Sequence, residues 1–145
     1  MRPYARFHEQ LQRNLVAVIS VFIAVGSLSY NTWRNEKSEY NRNQRQASFE
    51  VLLKLGELRE LVYHLHFDSD TVVKNAARTG WATVFTINDL TQVLEEPISV
   101  AAVSLRASWD EHWEGLGSDR ASKDAIVLEI DSMRDITLKM LQELD

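Results

Sequence analysis

The chain contains no cysteine. That excludes disulfides, thiol nucleophiles and thiolate metal sites, and it suits either side of a membrane. Also missing are a glycine-rich phosphate loop, a His-Glu-x-x-His metal motif and a Ser-His-Asp neighbourhood. Only two prolines and five glycines punctuate the 145 residues. The stretch WATVFTI at residues 81–87 is rich in strand formers, but no second strand-like run exists to pair with it. A sheet is therefore not expected, and that stretch reads as helix.

Charge is absent from one long segment. Residues 14–33 carry none, and Arg13 and Arg34 bracket them. The centre, LVAVISVFIAVGSL, holds nothing more polar than two serines and a glycine. Twenty helical residues rise about 30 Å, the hydrocarbon thickness of a bilayer. A cleaved signal peptide is one alternative, with Ala24-Val25-Gly26 as a small-residue cleavage site. The hydrophobic pattern runs past that point through Leu28, Tyr30 and Trp33, which favours an uncleaved anchor. A buried core helix is the other alternative. Tyr30 and Trp33 at the exit resemble an interfacial belt, with Tyr4 and Phe7 serving the opposite side.

Charge elsewhere is lopsided. Residues 1–45 carry net +4 and residues 46–145 net −9. Basic residues beside a spanning helix meet anionic headgroups, whereas an acidic domain repels nucleic acid. Lys and Arg flank both ends of the span, so the positive-inside comparison is close to balanced. A short N-terminal tail (1–13) inside favours an extracytoplasmic domain, with the anchor in a bacterial inner membrane. Ala17, Ser20, Ala24 and Ser27 form a small-residue stripe along the span, a face on which a second helix packs closely.

Beyond the span, residues 34–46 are polar but free of Pro and Gly. Trp33, Tyr40 and Ala47 repeat every seven residues, and Val51, Leu55, Leu58, Val62 and Leu65 then alternate by four and three. That is a heptad seam, and it predicts one long helix from the span to about Phe67. Asp68-Ser69-Asp70 breaks it, and residues 68–80 read as a connection containing about one helical turn. Trp81, Val84, Ile87, Thr91 and Leu94 form the next helical face. Pro97 ends that element and can open the next as its first helical residue, and a stripe of Ile98, Ala101, Ala102, Leu105, Trp109, His112, Trp113 and Leu116 follows. Gly115-Leu116-Gly117-Ser118 is a stop and a cap. A last helix spans about 122–144, with Ile126, Ile130, Met133, Thr137, Met140 and Leu144 facing in. The expected fold is all-α: an N-terminal transmembrane helix continuing into an antiparallel bundle of about four helices, its acidic domain covering 47–145.

Chemistry is sparse. His64, His66, Asp68 and Asp70 would converge on a metal only in an extended segment, and on a helix residues two apart diverge. Trp81, Trp109, His112 and Trp113 are the candidate aromatic pocket or docking surface, weighed against tryptophans that plug the end of a bundle. Asp110, Glu111, Glu114, Asp124, Asp131 and Asp135 suggest paired carboxylates, but nothing fixes two of them on one buried face. No catalytic residue, cofactor or metal is assigned. The plan resembles the ligand-sensing helical bundles of bacterial chemoreceptors in architecture alone, because a second spanning helix and a signalling region are missing. The expected role is protein–protein interaction beside the lipid bilayer, with a protein partner or a second copy. A small-molecule sensor and a metal-dependent enzyme are the alternatives.

Overall fold

The computed structural model describes the backbone of residues 3–68 and 73–144, and the side-chain surroundings of residues 10, 14–68 and 75–144. Four α-helices account for most of it: α1 (Pro3–Phe67), α2 (Val73–Leu90), α3 (Ile98–His112) and α4 (Arg120–Glu143). Short 3₁₀ turns, Thr91–Val93 and Trp113–Gly115, end α2 and α3. There is no strand among the described residues, and the strand-prone 81–87 stretch lies within α2.

The chain divides into two compact units, Met1–Tyr40 and Asn41–Asp145. In the first, α1 is already helical from Pro3, through the segment expected as a tail. Its apolar side chains from Leu15 to Trp33 are exposed all round. An eighteen-residue window within Asn14–Phe67 reaches a mean hydropathy of 1.8, and none of it is buried. By length and apolarity this helix is sufficient to cross a membrane.

The second unit is a helical bundle, and its long-range bonds give the helix directions. Gln44 Nε2 donates to the Val93 carbonyl at 2.7 Å, so the start of this part of α1 meets the end of α2. Arg45 donates to the Leu144 carbonyl, Arg59 pairs with Asp131, and His66 Nδ1 lies 2.9 Å from the Leu116 oxygen. Numbers rise along α1 as they fall along α4, so the two run antiparallel. Gly80 against Trp109, and Arg106 over Phe85, set α2 antiparallel to α3 in the same way.

The seam forecast for α1 is the core. Val51, Leu55, Leu58 and Val62 are fully buried, and they pack with Val84, Ile87, Leu105, Trp109, Ile126, Ile130 and Met133. Spacing of four and three puts one helix face against its neighbours, and burying such a face supplies most of the stability of a bundle. Leu65 and Ala47 are half-buried at its ends. Two polar residues extend the seam upward in register, Gln44 and Ser48, and both are buried.

Three local expectations are corrected. α2 begins at Val73, so much of the supposed connection is helix; Ala76 and Gly80 face inward, and their small size suits close packing. Asp119 rather than Ser118 caps α4, accepting from Ala121 N and Ser122 N, each at 3.0 Å. The helix consequently starts at Arg120, two residues before the expected 122. Pro97 is the N-cap of α3 and Ile98 its first residue.

Ser48 Oγ is buried without a hydrogen-bond partner among the described residues. An unsatisfied buried hydroxyl is destabilising relative to a methyl group of similar shape. Ser48→Ala is therefore expected to raise the unfolding free energy by about 1 kcal/mol, read from denaturant midpoints at constant slope.

Candidate functional site

Trp109 lies on α3 with no exposed surface. Its six-membered ring covers Gly80 of α2 so closely that a β-carbon there would fall 2.1 Å from Trp109 Cζ2. The indole is a core element, packed where only a hydrogen fits opposite it. Trp113 begins the 3₁₀ turn after α3 and is half-buried against the same core, with His112 half-buried beside it. His112 Nε2 is 3.9 Å from a Glu111 carboxylate oxygen. Below them Asp119 accepts from the Ser122 hydroxyl at 2.6 Å. That bond, followed by the Ala121 and Ser122 amides, holds the Asp119 carboxyl below its ordinary value.

Trp81 belongs to a different surface. It stacks on Phe85 with ring centroids 5.5 Å apart, and Arg106 sits 5.1 Å over the Phe85 ring. A groove of about 260 Å³ beside it is lined by Trp81, Asn88, Val103, Arg106, Ala107 and Asp110. Trp109 turns inward rather than into this groove. The four residues singled out by sequence thus divide between a core plug and a shallow outer groove.

The histidine-acid run does not converge. His64 Nδ1 pairs with Asp68 one turn on, whereas His66 turns to the Leu116 carbonyl. Asp70 lies outside the described residues. Among the described residues no group of three His, Asp or Glu side chains is placed to hold a metal ion. The carboxylates of α3 and α4 are dispersed: Asp110, Glu111, Glu114, Asp124 and Asp135 are exposed, and Asp131 is engaged by Arg59. Asp124 is held below its ordinary value by its bond to Lys123, with Arg120 adding to the effect.

In the first unit, Ala17, Ser20, Ala24 and Ser27 are all exposed. Ser20 Oγ donates to the Val16 carbonyl at 2.8 Å, so this hydroxyl is satisfied within its own helix. Such a bond lets serine enter hydrocarbon without an orphan donor.

One uncovered apolar feature of the second unit was not anticipated. On α1, opposite the buried seam, Phe49, Leu53, Gly56, Glu60, Tyr63 and Phe67 alternate by four and three. Phe49 is 57% exposed, Leu53 61% and Phe67 66%. Tyr63 and Phe67 pack ring to ring at 6.1 Å, and Lys123 reaches to 5.8 Å from the Phe67 ring. A shallow surface of Gly56, Arg59, Glu60, Tyr63, His64 and Phe67 forms its lower half. The signal was present in the spacing, but Gly56 and Glu60 interrupt it.

No protein-family model, curated protein or solved structure matches the chain.

Proposed function

We propose that the protein is a single-pass, membrane-anchored helical module that works through protein–protein contact. The observation that carries this reading is the uncovered stripe on α1 of the second unit. Single exposed apolar residues are ordinary, but a periodic line of large ones along a folded helix marks an interaction face. The first unit supports the anchoring half. A helix apolar on every side belongs inside a large core or a bilayer, and among the described residues none of this apolar window is buried. In this reading the small-residue stripe of residues 17–27 contributes a helix contact within lipid. The second unit stands on the extracytoplasmic face. The groove at Trp81 is shallow, so a ligand-sensing role has less to support it.

The test is release of the native protein by mild detergent, followed by identification of whatever travels with it. Stoichiometric association with another protein or with itself is expected. A bare single chain would contradict the reading.

A further inference from the structure

We infer that the exposed stripe of α1 is covered by the same stripe of a second copy, in parallel and in register. The inference rests on the anchored, interacting role proposed above and names its partner.

Three observations carry it. The first is the spacing itself. Phe49, Gly56 and Tyr63 occupy one heptad position, and Leu53, Glu60 and Phe67 the other, the two lines of a two-stranded seam. All are on the surface, so the helix buries one seam within its own bundle and leaves a second available.

The second is charge. One edge of the stripe carries Glu50 and Glu57, and the other carries Arg45 and Arg59. In a parallel pair opposite edges meet, which brings Arg45 of one chain toward Glu50 of the other. In an antiparallel pair like edges meet, acid on acid and base on base. Glu57 already pairs with Lys54 and Arg59 with Asp131, and Arg45 donates to the Leu144 carbonyl. The sign pattern therefore selects the parallel arrangement. Chains held by their first units in one membrane also present their second units from the same side.

The third is Gly56. Glycine in a helix interior is less stable than alanine. Beyond its own stretch of helix, no described atom lies within 4 Å of where its β-carbon would sit, so no described neighbour requires it. A glycine at the centre of the stripe instead lets a second backbone approach. Glu60 opposes the pairing, because two carboxylates meet across the axis. Membrane confinement offsets that by raising the effective concentration of one copy around another.

The absence of native cysteine makes the test clean. Single variants Phe49→Cys, Gly56→Cys and Tyr63→Cys are made in the full chain, with Val100→Cys and Leu128→Cys as exposed controls. Native membranes are treated with a mild oxidant, and disulfide-linked dimer is quantified. Gly56→Cys adds its side chain into open space, so folding is preserved. A parallel seam predicts dimer at all three stripe positions, roughly tenfold above the controls, because a disulfide requires β-carbons about 4 Å apart. Dimer at Gly56→Cys alone would indicate antiparallel pairing and overturn the inference, as would equal yields at stripe and control positions. Absence of dimer throughout, while a different protein co-purifies, would overturn the second-copy inference and leave the interaction role intact. Absence of dimer with a bare single chain in detergent would remove both.

Discussion

Replacing Trp109 with alanine is expected to lower the unfolding free energy by about 3–5 kcal/mol, the range for a large aromatic removed from a close-packed core. The side chain has no exposed surface and fills the space over Gly80 between α2 and α3. Gly80→Ala attacks the same contact from the other side. The new methyl meets the rigid end of a buried indole, which has no room to swing away, so a loss of about 1–3 kcal/mol is expected from overpacking. The two changes are not additive. With Trp109 already alanine, the methyl at position 80 enters a cavity, and its separate cost should vanish or change sign. Chemical denaturation of the four members of this cycle measures the coupling. Equal effects of Gly80→Ala in both backgrounds would show that the ring and the glycine do not share that space.

A different large effect is expected in the first unit. Ile19→Arg combined with Ile23→Arg places two guanidinium groups near the middle of the charge-free run. Insertion scales put an arginine at the centre of a spanning helix at about 2.5–3.5 kcal/mol, so the pair opposes insertion by roughly 5–7 kcal/mol. The chain should leave the membrane pellet that survives alkaline washing. The same residues are exposed in the isolated structure, and an arginine on a water-facing helix costs close to nothing. The sign of the response therefore separates hydrocarbon from water as the medium around Ile19 and Ile23. An unchanged distribution of the double variant would contradict the anchor.

Much of the fold was legible because helix packing writes a period into sequence. Val51, Leu55, Leu58 and Val62, together with Ile126, Ile130 and Met133, face inward as their spacing requires. Period did not reveal where α2 begins. Residues 73–80 are rich in small and polar types that locally suit a turn, and their helix is set by packing: the inward side of that turn must be small because Trp109 lies across it. The cap of α4 was displaced by one residue. Ser118 and Asp119 both have capping side chains, and only the geometry shows Asp119 accepting two backbone amides.

The candidate site was less legible. The wheel puts Trp109, His112 and Trp113 on one helical face, but Trp113 falls in the turn after α3, and Trp109 is buried while the other two are half-buried. Trp81 shares their composition but sits over Phe85, at the outer groove. The stripe from Phe49 to Phe67 shares its helix with the buried seam, and two interleaved heptads in one segment mask each other. Its glycine and glutamate look like breaks until the structure shows every member of the line uncovered.

Photo-cross-linking from Leu53 in native membranes separates a covered stripe from a bare one. A photoreactive residue at this 61% exposed position reports what covers the stripe, and the same probe at exposed Lys139 on α4 reports background. The interaction account predicts a discrete adduct from position 53, absent from position 139, with the mass of two chains if the partner is a second copy. Lipid and water adducts alone, at equal levels from both positions, would contradict it.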